Sequence, residues 1–457
     1  MSNLTELYLY SSSLRGPLPV LQRGNLCKPE IVDLSNNDLS GDITQMLDIL
    51  SSCSNHLIEK LSHSVGKFKL DLSFNSLSGP IPASIGNLSN LALLDLEENI
   101  MNGEIPESIG QLTELSYLNL YQNNWEGTMT NTHFHNLTNL VSFSVSSKAN
   151  TFAFKVTREW IPPFKLLKRM EISDCQLGPT FPSWLRNLTL LNWVFLKNVG
   201  ISGEIPHWFY NMLSSQSTIP MFWMVMGRLR SIDLSNNSFS GGIPASICSP
   251  PSLVLLELSN NNLSADLIPE KLTELIHLGI LNLSWNRLTG NIPSTIGSLK
   301  DLESLDLSHN HLSGPIPASM ASMTFLSNLN LSYNNLSGQI PFGNQFDTFN
   351  DPSIYEGNPK LCGKPLPTNC SSALPGNEEK GGKHEDGADE KIERLWLYGS
   401  IAFGYITGFW LVCGSLMLKR SWRHAYFNFA FDMRDKLLVL IAVNLARVKR
   451  KFGLERN

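Results

Sequence analysis

The sequence predicts an α/β solenoid, a parallel sheet of short stacked strands, followed by a single transmembrane helix. Two observations carry this expectation. A leucine-rich phrase recurs at a fixed period, and one uncharged apolar stretch of membrane-spanning length lies near the C-terminus. The phrase is clearest at Leu302 to Pro317, LESLDLSHNHLSGPIP. It recurs as LGILNLSWNRLTGNIP from Leu278 to Pro293 and as LSNLNLSYNNLSGQIP from Leu326 to Pro341. A period of this size marks a chain of stacked supersecondary units, each unable to bury its apolar face alone.

Within the phrase each residue has a physical task. Leu305 and Leu307 alternate as one face of a short strand, and stacked copies join these leucines into a continuous core. Asn310 ends the strand, where its amide can reach backbone groups that a buried turn would leave unpaired. Gly314 permits the positive φ of a tight turn, and Pro317 blocks regular pairing beyond Ile316. Aligned on the asparagine, thirteen copies fall at 12, 37, 75, 99, 123, 148, 175, 199, 237, 261, 286, 310 and 334. Ser12, Lys148, Cys175 and Val199 replace the asparagine in four of them. Two intervals, 37 to 75 and 199 to 237, run to 38 residues. In the first, Leu57 and Leu61 read as remains of a shortened repeat. In the second, Ile219 to Met226 fits no repeat position, and both intervals are open to reading as loops or as deletions. Phe152 to Phe164 reads as an extended irregular segment. The repeats thus occupy residues 1–341.

After Pro341 the period is expected to stop. Residues 342–370 read as a C-terminal cap in which Cys362 and Cys370 are close enough to bridge over the last coil. Residues 371–394 are polar, glycine-rich and acidic, a solvated linker. Residues 395–418 contain no charge, and as a helix would be about 36 Å long, enough to cross a bilayer with some tilt. Residues 419–457 form a short tail with ten Lys/Arg and three Asp/Glu. The whole chain has a net charge of −5, so the remainder is strongly acidic. An acidic body excludes nucleic acid as the expected partner. The basic tail places the repeats outside the cell and the C-terminus in the cytosol, and its segment from Lys436 to Phe452 reads as a basic amphipathic helix on the inner membrane surface. Ten N-x-S/T sequons, at Asn3, Asn87, Asn136, Asn187, Asn236, Asn262, Asn282, Asn330, Asn335 and Asn369, agree with a glycosylated exterior. Gly404 and Gly408 form G-x-x-x-G within the span, a surface for close helix approach. Cys175 reads as a buried thiol in the asparagine ladder, Cys413 lies in the span, and Cys27, Cys53 and Cys248 have no assignable partners. The chain opens directly on a repeat, at Leu4, Leu7, Leu9 and Leu14. A solenoid needs its terminal coil covered, so a longer natural N-terminus is expected.

No catalytic constellation is present. H-E-x-x-H, G-x-S-x-G and metal-spaced Cys/His clusters are missing, and the cytosolic tail contains neither H-R-D nor D-F-G. The sequence therefore points to a non-enzyme without a cofactor and without a kinase domain.

The phrase L-x-x-L-x-L-x-x-N-x-L-S-G-x-I-P resembles the plant extracellular form of the leucine-rich repeat. The run FGNQFDTFNDPSIYEGNPKLCGKPL (Phe342 to Leu366), GFWLVCGSL (Gly408 to Leu416) and SWRHAYF (Ser421 to Phe427) resemble plant receptor-like proteins. The group nearest in pattern includes the receptors for ethylene-inducing xylanase. This resemblance implies a curved horseshoe with its parallel sheet on the concave face. It also implies a single-pass plasma-membrane receptor without a kinase, perceiving a microbial or endogenous peptide, protein or glycan and signalling, in defence, through adaptor and co-receptor kinases. The sequence departs from the family pattern in lacking a signal peptide, an N-terminal Cys-bearing cap and a clear island before the last four repeats. Two other readings are an inhibitor-type repeat module, which would need neither the span nor the tail, and a truncated, inactive receptor relative.

The x positions of L-x-x-L-x-L-x-x-N point away from the leucine core and are the expected binding surface. Most are Ser, Asn or Asp. Tyr117 and Tyr121 stand out in one repeat beside Glu97 and Glu98 of the preceding one, as do Trp193, Phe195 and Lys197 in another. Trp285, His309 and Tyr333 occupy one position in three successive repeats, which predicts a column stepping about 5 Å per strand. Exposed aromatic residues in line are usual anchors of a binding surface.

Overall fold

Each repeat of the sequence contributes one strand to a single parallel sheet. In the computed structural model, which describes residues 5–18, 30–57, 67–149, 151–157, 159–206, 208–209, 229–248, 252–264 and 267–370, thirteen strands follow one another in chain order along that sheet. The register keeps the phrase aligned from coil to coil: Leu281 pairs with Leu305, and Leu305 with Leu329. Their side chains and those of Leu283, Leu307 and Leu331 are buried in one continuous core. The predicted linker, membrane span and tail, with Gly404, Gly408 and Cys413, lie outside the described residues, as do Asn3 and Cys27. Among the described residues no helix is long and apolar enough to cross a membrane.

The asparagine ladder closes the corner after each strand. Asn310 Nδ2 donates to the carbonyl of Leu283 in the preceding coil (3.0 Å), and to Leu307 and Ser308 in its own. Its Oδ1 accepts from Leu288 N–H at 3.0 Å. Asn334, Asn286 and Asn99 repeat the pattern. One amide thus satisfies backbone groups of two coils that no water reaches. Where Lys148 replaces asparagine, the Leu120 carbonyl that a ladder amide would reach accepts from Trp125 Nε1 at 2.7 Å. Cys175, in another such position, is a buried free thiol, with burial the main cause pushing its pKa up to about 12.

Beyond the ladder the L-S-G segment is a short second strand rather than a simple turn. Ser313–Gly314 pairs with Asn335–Gln339, which pairs with Lys360–Cys362. Gly314 adopts φ +73°, and a Cβ there would lie 2.5 Å from Asn291 Oδ1. The proline that follows opens a 3-10 helix: Pro317 precedes Ala318–Ser322, and Pro106 precedes Glu107–Gln111. The face opposite the sheet therefore carries single 3-10 turns in these coils, because so few residues remain in each period to return the chain.

Three expectations are corrected. The first 38-residue interval is an insertion between adjacent strands, not a shortened repeat, and the second likewise joins two adjacent strands. Ile31–Asp33 pairs directly with Phe68–Asp71, and Trp193–Lys197 with Ser231–Asp233. In the first interval Thr44–Leu57 forms an α-helix, so Leu57 ends a helix rather than marking a lost strand. That helix docks on the 3-10 turn of a following coil through a hydrogen bond from Ser84 Oγ to Asp48. Leu61 and Ile219 to Met226 lie outside the described residues. Second, Phe152 to Phe164 is not wholly irregular. Ala153–Lys155 pairs with Thr128–Thr130, and Phe152, Phe154 and Phe164 are buried with Phe134 and Phe143. Third, the period does not stop at Pro341. Asn358, 24 residues after Asn334, donates to the Leu331, Tyr355 and Glu356 carbonyls and accepts from Leu336 N–H. The cap keeps the ladder and the second strand of a repeat but replaces its first strand with the 3-10 helix Pro352–Tyr355. Cys362 and Cys370 form a disulfide with Cα atoms 5.0 Å apart.

Candidate functional site

Trp285, His309 and Tyr333 lie one residue before successive ladder asparagines, just past the end of each strand. Their backbone φ values are +54°, +51° and +54°. This left-handed conformation recurs at the same place in most repeats, for example at Asn236, Asn260 and Asp174. Asn and Asp tolerate it; a bulky aromatic there costs energy. Three successive aromatic residues at that corner therefore serve something other than backbone geometry.

The three rings form one stack. Trp285 and His309 centroids are 3.7 Å apart and 14° from parallel, and His309 and Tyr333 are 4.4 Å apart and 15° from parallel. The step is tighter than the strand spacing because the rings lean together. Trp285 is 57% exposed and Tyr333 45%. On the cap side Gly357 closes against Tyr333, where an added Cβ would lie 2.7 Å from Tyr333 Cδ1. The stack covers both faces of the His309 ring with neighbouring rings.

The middle repeats hold a second group. Tyr117 and Tyr121 project from the strand Tyr117–Glu126, and Trp193, Phe195 and Lys197 from the strand Trp193–Lys197. Two strands, Ser142–Ser147 and Arg169–Ser173, lie between them. Arg169 links the second set together. Its guanidinium sits 5.2 Å from the Trp193 ring centroid and 5.9 Å from that of Phe195, and donates to Glu171 Oε2 at 2.7 Å. Sequence reasoning missed Arg169 and Glu171. The available signal was position, since Arg169 occupies the same strand place as Tyr117 and Trp193 in the register. Glu97 accepts from Asn119 Nδ2 at 2.7 Å, which places it beside Tyr117.

The leucine rich repeat family model matches residues 276–336, the stretch that carries the ring stack, and a second leucine rich repeat model matches 69–88 and 228–250. Receptor-like protein EIX1 of Solanum lycopersicum is 33% identical over 142 residues, 31% of this chain and 12% of that protein. Receptor-like protein 13 of Arabidopsis thaliana is 35% identical over 257 residues, 49% of this chain and 24% of that protein. The chain carries leucine-rich repeats and is similar to the receptor-like proteins of plants. It spans under a quarter of the length of these two relatives. Among solved structures, the TDR receptor aligns with a TM-score of 0.58 at 28% identity, covering 74% of this chain and 57% of that one. The plant peptide hormone receptor RGFR1 in complex with RGF2 aligns at 0.57 and 30%, covering 74% and 53%.

In this chain the sheet face is acidic as well as aromatic. Asp33, Asp71 and Asp95 are successive partners in the register, followed by Asn119. One oxygen of each aspartate caps the strand end: Asp33 accepts from Ser35, Asp71 from Ser73 and Asp95 from Glu97. Burial pushes Asp95 up to about 6, and the nearby Asp71 and Glu97 charges add to it. Burial likewise raises Asp71, Glu97 and Glu257. It pushes the Tyr117 phenol up to about 12, with Asp95 contributing, so that tyrosine stays a neutral hydrogen-bonding group. Among the described residues no three His, Cys, Asp or Glu side chains are arranged to hold a metal ion.

The sequons fall into two classes. Asn87, Asn136, Asn187, Asn335 and Asn369 are exposed, and Asn87 and Asn187 end 3-10 turns away from the sheet. Asn236, Asn262, Asn282 and Asn330 are half-buried. Asn282 and Asn330 use their side-chain oxygen to cap a strand end, accepting from Ser284 and Ser332 N–H.

Proposed function

We propose that this chain is the repeat-bearing part of a cell-surface receptor-like protein without a kinase domain. It binds an extracellular ligand on its sheet face and signals through a partner receptor kinase, in defence. The observation that carries the reading is the Trp285–His309–Tyr333 stack, three strained and partly exposed rings presented in line next to the C-terminal cap. Tyr117, Tyr121, Trp193, Phe195 and Lys197 form the ligand-facing set, and the stack contacts a co-receptor. The alignment with a receptor solved in complex with a peptide hormone supports a polypeptide ligand. The uncharged segment 395–418 anchors the protein in the plasma membrane, where Gly404 and Gly408 meet an adaptor kinase helix.

The test is a co-purification of the full-length protein with receptor-kinase partners from plant cells. Changing Trp285, His309 and Tyr333 together to Ser is expected to preserve surface delivery and abolish ligand-induced complex formation. Normal assembly by that variant overturns the assignment of the stack. Replacing Gly404 and Gly408 with Leu is expected to weaken constitutive association with the adaptor, and undiminished association removes that contact.

A further inference from the structure

The last strand of the sheet, Asn328–Asn330, has an outer edge that the cap covers only in part. Parallel pairing alternates along a strand. Asn328 N–H donates inward to the Glu303 carbonyl at 3.0 Å, so the N–H and C=O of Leu329 point outward. Further along the same edge, Leu331 N–H donates to the Ile354 carbonyl (2.9 Å) and Tyr333 N–H to that of Glu356 (2.6 Å). Among the described residues nothing from the cap bonds the main chain of Leu329. The reason is local. The cap runs as 3-10 helix where a strand would fall, so its own N–H groups turn inward, as Ile354 N–H does to Asp351.

A cavity of about 250 Å³ opens at this edge. Phe349 and Ile354 form its apolar wall, and Ser304, Asp306 and Asn330 are among its polar lining. It is smaller than the ~300–1,000 Å³ of a small-molecule pocket, so it takes a short stretch of chain rather than a whole ligand. Asp306 uses one oxygen to cap Ser308 N–H at 2.9 Å, and its other oxygen is 3.5 Å from Asn330 Nδ2. Among the described residues no cation forms an ion pair with it.

We propose that this cavity accepts an extended segment of a partner polypeptide, added as a short strand against Leu329 with a Lys or Arg side chain reaching Asp306. An open sheet edge recognises main chain through the unpaired N–H and C=O, and neighbouring pockets select alternate side chains. Here the apolar wall takes a side chain on one face of the added strand, and the uncompensated carboxylate takes a basic one on the other. The strand-end cap needs only an oxygen, since Asn282 and Asn330 make the same bond as Asp306. The negative charge at 306 is therefore free to serve recognition.

The test uses the full repeat domain with its cap and an acetylated, amidated peptide Val-Thr-Arg-Val-Thr, with a second peptide carrying Glu in place of Arg. Amide hydrogen exchange over residues 327–331 is followed during titration. The arginine peptide is expected to slow exchange at Leu329 with a Kd at or below about 1 mM, and the glutamate peptide to bind at least about fivefold more weakly. Asp306→Asn preserves the cap and is expected to erase the difference between the two peptides, while Ser304→Phe fills the cavity and removes both. An unchanged melting temperature for Asp306→Asn separates lost recognition from lost folding. The proposal is overturned if exchange at Leu329 is unaffected at that concentration, or if the two peptides bind alike to the unaltered protein. Mass spectrometry that finds a glycan on Asn330 also overturns it, because the sugar would fill the same space.

Discussion

The imidazole of His309 lies flat against the indole of Trp285, 3.7 Å between centroids and 14° from parallel. His309 also stacks on Tyr333, so it is the middle of three rings and the residue on which the column depends. Each such pair contributes about 0.5–1.5 kcal/mol beyond area burial. His309→Ser is expected to lower stability by about 1–2 kcal/mol in urea unfolding, whereas His309→Phe, which can restack, is expected to lower it by less than half as much. Equal losses for the two variants would mean that the rings are adjacent without attraction.

The ladder asparagines should differ in weight according to burial. Asn310 is buried and serves two coils. Asn310→Ala leaves several enclosed backbone groups unpaired, at an expected loss of about 2–4 kcal/mol. Asn37 makes the equivalent bonds to Leu9 and Leu14, but in partly exposed surroundings where water can replace it. Asn37→Ala should lose less than about 1.5 kcal/mol. The comparison is read from denaturant midpoints of the two variants, and equal losses would remove burial as the deciding factor.

Stability should depend on Asp95. Its pKa is raised from 3.8 to about 6, chiefly by burial. The folded state therefore binds a proton more readily than the unfolded state, and the charged form opposes folding. That opposition is full above about pH 6 and disappears as pH falls below 4. The protein is expected to gain stability as pH drops from 7 to 4 at this site, with Asp71, Glu97 and Glu257 shifted in the same direction. Asp95→Asn keeps the strand-end acceptor, as Asn119 does for Tyr121. It should raise stability at pH 7 by about 1–2 kcal/mol and flatten the profile between pH 4 and 7. Thermal unfolding across that range checks both the sign and the slope.

Glycan occupancy should follow exposure rather than sequence. Asn87, Asn136 and Asn187 are open to solvent. Asn282 and Asn330 are half-buried, with their side-chain oxygens engaged. Peptide mapping of the protein expressed in plant cells is expected to find glycans at the first three sites and bare asparagine at the last two. Glycans on Asn282 or Asn330 would mean that the strand-end cap opens before or during modification.

Much of this architecture was legible in the sequence because its causes are local and repeated. Leu305 and Leu307 define one strand, Asn310 one corner and Pro317 one helical turn. Copying the unit at a fixed period is enough to require a parallel sheet with a leucine core. The thirteen aligned positions correspond to the thirteen strands found. The line of Trp285, His309 and Tyr333 was visible for the same reason, since residues at one place in successive repeats must become neighbours.

What the period could not specify needed the folded molecule. Two 38-residue intervals look alike in sequence, yet only pairing of Ile31 with Lys69 shows that the sheet continues without a gap. Asn358 sits at the correct interval but without its leucines, so its place in the ladder depends on the cap folding back over Leu331. Arg169 carries no motif and gains its neighbours only when two strands bring it beside Trp193. The stacking of His309, the raised pKa of Asp95 and the open edge at Leu329 share one origin. Each depends on side chains or backbone groups from different coils, and the repeat sequence sets the distance between coils but not how the rings lean, how water is excluded or where the cap leaves the last strand uncovered.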